Sequence, residues 1–119
     1  MQILLSIKPK YAERILSGDK KYEFRRVLPK KIDEVEKILL YSNNNIQKIT
    51  GHFKVGKVIE NSPKRIWEKT KEHAGVSKKE FFEYFEGTDK GYAIKIEEPK
   101  ELEEPINPFD KIENFTPPQ

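Results

Sequence analysis

Residues 18–26 read GDKKYEFRR. A glycine opens the stretch, and two aromatics and two carboxylates then stand among four cations. From Lys20 onward the residues alternate as a strand does: Tyr22 and Phe24 share one face, while Lys21, Glu23 and Arg25 share the other. The aromatics are expected to fill core, and the opposite face to display Glu23 between cations. Upstream, Pro9 suits the first turn of a helix, and Tyr11, Ala12, Ile15 and Leu16 recur at helical spacing. Gly18 stands where such a helix ends in a left-handed residue. ILLSI, residues 3–7, is a short apolar run of the kind found in buried strands. The N-terminal quarter therefore reads as strand, helix, turn, strand.

The pattern continues downstream. VEKILLYS (35–42) reads as a strand closed by the turn-forming Asn43-Asn44-Asn45. ITGHFKVGKVIE (49–60) follows, with Gly51 and Gly56 marking bulges or bends. Ser62-Pro63 caps a helix that Gly75 ends. Ser77-Lys78-Lys79-Glu80 is a capping box, and Val76 with Phe81 suits a hydrophobic staple. Phe81, Phe82 and Phe85 give this second helix an apolar face, whose spacing favours core over a stacking platform. GYAIKIEEP (91–99) is the last strand, and the acidic residues 97–104 suit a solvated edge or loop. Phe109, Ile112 and Phe115 are candidates to dock the proline-rich tail. The order β-α-β-β-β-α-α-β predicts one α+β domain, residues 1–119, around a small curved sheet or barrel.

Composition narrows the chemistry. The 119 residues suit one domain with a modest core, and thirteen aromatics supply apolar area that a disordered chain lacks. Cysteine is absent, which excludes disulfides, thiolate nucleophiles and cysteine-ligated zinc. His52 and His73 are not at metal-ligand spacing, so neither metal nor cofactor is expected. No apolar run approaches the ~20 residues that span a bilayer, and no secretory signal is recognisable, so a cytoplasmic protein is expected. The Lys/Glu-rich composition suits a thermophilic source. The net charge of +3 is unevenly spread: residues 1–31 hold nine basic and three acidic residues, and the remainder 14 basic and 17 acidic. That asymmetry predicts a local positive field at Lys8, Lys10, Arg14, Lys20, Arg25 and Arg26.

Gly18, Lys20, Glu23 and Arg25 fit the pattern G-x-K-x-x-E-x-R. With ILLSIKPKYAERILSG before it, and TGHFKVGKV and GYAIKI after it, the chain resembles the ASCH family, of the PUA-like β-barrel superfamily. The closing FTPPQ resembles the end of archaeal proteins described as predicted transcriptional regulators. The resemblance implies a PUA-like barrel with a short N-terminal helix and a helical pair inserted before the last strand. It also implies a cleft between barrel and first helix, lined by Lys20, Glu23 and Arg25, with Gly18 shaping the turn. Members are predicted to bind RNA, and a few are hydrolases of nucleosides or nucleic acid. In the branch that removes acyl groups from modified cytidine, the family lysine is matched by Lys20. A threonine is usual there at the place of Glu23, and this chain departs from that pattern.

The residues argue the same chemistry independently. Lys and Arg neutralise phosphates and release counterions, and Arg25 can offer a bidentate fork to phosphate or a base edge. A carboxylate cannot bind phosphate. Glu23 is therefore open to three tasks: orienting Arg25, accepting from a base amino group, or moving protons as a general base. The expected partner is RNA or another nucleic-acid or nucleotide ligand, met by Lys8, Lys10, Arg14, Lys20, Glu23, Arg25 and Arg26. Tyr11 and Tyr41 suit stacking or core. The alternative is a hydrolase with Lys20 and Glu23 as catalytic groups, joined by Ser6 and Glu60 at strand ends. The plainest reading is a surface row of ion pairs from Lys21, Glu23 and Arg25, worth little energetically.

Overall fold

A computed structural model describes residues 1–111. Strand β1 (Gln2–Ile7) leads through Lys8 into helix α1 (Pro9–Ser17), and Gly18 closes the helix at φ 91°, its N–H donating to the Ile15 carbonyl. Strand β2 (Tyr22–Arg25) follows. A single 3-10 turn (Ile32–Glu34) precedes β3 (Lys37–Ser42), which starts two residues later than periodicity predicts because Val35 still caps that turn. Strand β4 (Lys48–Asn61) runs into α2 (Pro63–Thr70) and a 3-10 turn (Lys71–His73); then come α3 (Lys78–Tyr84), β5 (Gly91–Ile106) and α4 (Pro108–Lys111).

The strands form one sheet in the order β1-β3-β4-β5-β2. β1 and β3 are parallel, and the other neighbours are antiparallel. The α+β class, the short N-terminal helix and the helical pair before the last strand are as expected. The barrel is a loose one, because the sheet does not close: β1 and β2 are its two edges. With four residues, β2 pairs along β5 and leaves a seam toward β1.

Ladder shifts in β4 fall between Ile49 and Gly51, and between Val55 and Val58 around Gly56. A Cβ on Gly51 would stand 2.6 Å from a Leu16 methyl and 2.7 Å from the Lys100 carbonyl, so only glycine admits this crossing. β5 is far longer than expected. The acidic residues from Glu97 onward continue it as an exposed strand, because β4 keeps pairing with it as far as Ile106.

Two buried clusters flank the sheet. An aliphatic one gathers Leu5, Ile7, Ala12, Ile15, Ile38, Leu40, Phe53 and Ile94 under α1. An aromatic one gathers Phe24, Ile66, Ala74, Phe81, Phe85 and Ala93 under α2 and α3. Adjacent residues Ala93 and Ile94 divide between them, as strand alternation requires. Phe24 and Phe81 meet edge to face at 4.9 Å, the preferred geometry for ring quadrupoles. Phe81 and Phe85 are thus core, and so is Tyr41, which is 1% exposed. Phe109 is half exposed, while Pro108 beside it is buried; Ile112 and Phe115 lie outside the described residues.

Candidate functional site: a cleft at the open seam

A cavity of about 560 Å³ occupies the space between the edge strands. Its wall includes Ser6 and Ile7 from β1, and Glu23, Phe24 and Arg25 from β2. Lys8, Lys10 and Tyr11 enter from the start of α1, and Glu80, Phe81, Glu83 and Tyr84 from α3. Lys20, Asn43 and Val76 complete the lining. The seam that a closed barrel would seal is the cleft.

Lys20 is held by local and distant bonds together. The left-handed turn at Gly18 lets the Lys20 N–H donate to the Arg14 carbonyl at 2.9 Å. Three successive carbonyls after α2 receive the motif: His73 accepts the Lys21 N–H at 2.9 Å, Ala74 the Lys20 Nζ at 3.0 Å, and Gly75 the Arg14 Nη1 at 2.9 Å. Gly75, at φ +69°, has no room for a side chain, since a Cβ would lie 2.3 Å from the Lys20 Cβ. The Lys20 ammonium sits 4.5 Å from the centre of the Phe24 ring and 5.7 Å from that of Tyr11.

Strand alternation misjudges Glu23, and the expected positive field misjudges Lys20. Lys20 is 2% exposed and Glu23 is 7% exposed, so neither is displayed on a solvated face. Glu23 pairs with Ile94 across the ladder and therefore shares its sheet face with the aliphatic cluster. Burial pushes the Glu23 carboxyl above its usual range, and the charges of Lys20 and Arg25 oppose that shift. Burial lowers Lys20 to about 8, against the pull of Glu23 and with help from nearby Arg14. Arg25 reaches Glu23 at 3.4 Å, a long contact that leaves most of its fork free for a ligand.

Glu80 behaves differently. Its Oε1 accepts the Ser77 N–H at 3.1 Å, closing the capping box. Its Oε2 accepts the Tyr11 hydroxyl at 2.7 Å and the Lys10 Nζ at 3.0 Å. These donors, Tyr11 first, hold the carboxyl well below the ordinary carboxylate range. Glu80 thereby fastens α3 to α1 across the cleft mouth. The sequence marked it as a cap and carried no sign of the second task.

Of the anticipated site residues, Lys8, Lys10, Lys20, Glu23 and Arg25 come together here, with Ser6 and Tyr11. Arg14 turns to the Gly75 carbonyl instead. Arg26 lies over the Tyr84 ring at 5.0 Å and does not line the cavity. Glu60 pairs with Lys90 at 3.8 Å and stands apart from the cleft. Asn43, read as a turn residue, joins the wall and donates to Ser6 Oγ at 3.1 Å. Among the described residues no group of three or more His, Asp or Glu is placed to hold a metal, and no helix is long and apolar enough to cross a membrane.

Residues 5–106 match the ASCH domain. The chain belongs to the ASCH family. An ASCH domain-containing ribonuclease of Zymomonas mobilis is 28% identical over 122 residues, covering 99% of this chain and 80% of that protein. The crystal structure of ASCH from Zymomonas mobilis superposes with a TM-score of 0.89 at 27% identity, over 98% of this domain and 82% of that chain. Large ribosomal subunit protein uL22 of Ureaplasma parvum is 31% identical over 109 residues, 86% of this chain but 34% of its own length. That last likeness is to a part of the ribosomal protein.

Proposed function

We propose that this ASCH domain binds single-stranded RNA in the seam cleft, seating about one nucleotide between the edge strands. The observation that carries the reading is a nucleotide-sized cavity whose wall supplies Lys8, Lys10, Lys20 and Arg25 beside a buried carboxylate. Lys8, Lys10 and Arg25 meet phosphates, and Tyr11 and Tyr84 offer rings to an unpaired base. The proposed setting, drawn from the Lys/Glu-rich composition and the closing FTPPQ alone, is the cytoplasm of a heat-adapted organism, in control of transcription or translation.

Binding of a short fluorescent single strand, followed by anisotropy across a salt series, tests the reading. Three phosphate contacts predict a slope of roughly −2 in log affinity against log salt. Arg25→Ala should weaken binding by about 1–3 kcal/mol if it reads a base, and less if it touches phosphate alone. Affinity that stays flat with salt would overturn the phosphate-led mode.

A second reading, RNA cleavage, is favoured by the presence of buried Lys20 and Glu23 in one cavity wall and by the Zymomonas ribonuclease. In it, a base takes the proton of the 2′-hydroxyl and the 2′-oxygen attacks phosphorus. The P–O5′ bond then breaks as O5′ receives a proton, leaving a 2′,3′-cyclic phosphate and a 5′-hydroxyl. A neutral Lys20 suits the first transfer, its ammonium the negative charge that develops on phosphate, and a protonated Glu23 the second transfer. Cleavage of labelled RNA in the presence of EDTA is the test. Glu23→Gln should keep binding and lose about 10²–10⁴-fold in rate. RNA bound tightly by the wild type and left intact would end the cleavage reading and leave the binding one standing.

A further inference from the structure

One amine in the cleft wall lacks the partner that a buried lysine ordinarily has. Lys20 Nζ donates to a neutral carbonyl, that of Ala74, and rests against the faces of Phe24 and Tyr11. No carboxylate lies within 4.0 Å of it among the described residues, whereas Lys10, at the mouth of the same cleft, is paired with Glu80 at 3.0 Å. Desolvation without a close counterion favours the uncharged amine, the form that attacks carbonyl carbon. At about 8, the Lys20 amine is neutral near pH 7.5 roughly two orders of magnitude more often than an ordinary lysine.

The rest of the wall says which carbonyl compound fits. Lys8, Lys10 and Arg25 line the cavity with cations suited to phosphate, and its volume would admit a sugar with its phosphates. Glu23, in the same wall, sits where burial favours its protonated form, an acid available to a departing hydroxyl. We propose that Lys20 is an imine-forming lysine that captures the open-chain aldehyde of a phosphorylated sugar in this cleft, an activity beyond RNA binding or cleavage. Nζ attacks the aldehyde carbon and the N–C bond forms. The C=O π pair moves onto oxygen, which takes up a proton as nitrogen gives one up, leaving a neutral carbinolamine. Its hydroxyl takes a second proton and leaves as water while the nitrogen lone pair closes the C=N bond. The iminium nitrogen then releases its remaining proton. The balance is amine plus aldehyde to imine plus water, with no oxidant or reductant. The aldehyde has two sources of the same chemistry, a base-free site within a strand or a free sugar phosphate.

Reductive trapping tests the proposal on the full chain. The protein is incubated near pH 7.5 with cyanoborohydride and, in separate arms, a single strand carrying one abasic site or ribose 5-phosphate. Intact mass and peptide mapping are the readouts. One adduct per chain is expected, on Lys20, formed at least about tenfold faster than on the exposed Lys57. Lys20→Arg should lose it and Lys57→Arg should keep it within about twofold. The arm that reacts identifies the source. Adducts scattered over exposed lysines with Lys20 unmodified in both arms would overturn the proposal, and this wild-type map stands even if Lys20→Arg fails to fold. Equal trapping of unphosphorylated glyceraldehyde would overturn the phosphate requirement. Binding of intact RNA, measured in parallel, separates failure here from failure of the RNA reading.

Discussion

Glu23 and Glu80 line one cavity, from β2 and from α3, and their carboxyls shift in opposite directions. Glu23 is buried and receives one long contact, from Arg25 at 3.4 Å. Desolvation wins there, and the proton is held more tightly. Glu80 is partly exposed and accepts three hydrogen bonds between 2.7 and 3.1 Å. Donors win there, and the proton is held less tightly. Position in the same cleft does not set a carboxyl's behaviour; the balance of water lost against donors gained does. The consequence is a division of labour, with Glu80 as a fastening between helices and Glu23 as the group poised to exchange protons.

The largest expected effect tests whether that division depends on Lys20. Gly75→Ala must accept a left-handed backbone, at about 1–2 kcal/mol, and a Cβ pressed into the base of the Lys20 side chain, at about 1–3 kcal/mol more. A loss of about 3 kcal/mol in denaturant unfolding is expected. Lys20 also supplies the largest charge that opposes the Glu23 shift, so displacing it should raise the Glu23 carboxyl further while the Glu80 cap is untouched. Tolerance of alanine without loss would show that Lys20 is not seated on Gly75.

Next comes Glu80→Gln, expected to cost about 1–3 kcal/mol near neutral pH through its weakened bonds to Tyr11, Lys10 and Ser77. Its sign with pH is definite. A carboxyl whose folded pKa lies below its unfolded one stabilises the fold above the unfolded value, and that contribution is lost as pH falls through the folded value. The gap between wild type and Glu80→Gln should therefore narrow below about pH 4. A gap independent of pH would break the contrast between the two glutamates.

Glu23→Gln should have the smallest effect on stability, within about 1 kcal/mol at pH 7, because the charge it removes is already disfavoured by burial. The sign is reversed. A carboxyl raised in the folded state stabilises below its unfolded pKa and loses that contribution as pH rises through the folded one. The variant should gain on wild type as pH rises above about 4, in unfolding curves collected across a pH series. A variant that instead loses ground as pH rises would place Glu23 with Glu80, as a carboxylate stabilised by its partners.

The sequence by itself determined what neighbours within a few residues can decide. Gly18 ends α1 because only the left-handed turn satisfies the last carbonyls, and Ser77 with Glu80 caps α3 through bonds three residues apart. The two clusters follow from periodicity in the same way, and Lys20, Glu23 and Arg25 stood out as charges spaced around two aromatics. Tertiary structure decided the rest. Alternation over four residues would expose Glu23, yet the ladder sets it beside Ile94, more than 70 positions away, and shields it. The Ala74 carbonyl that holds Lys20 is 54 residues distant, and the Tyr11 hydroxyl bonded to Glu80 is 69. Whether the sheet closes turns on the pairing of its first and second strands, which no local pattern encodes. Because β2 pairs along β5 and not along β1, the seam stays open, and the desolvated amine and carboxyl line a cleft.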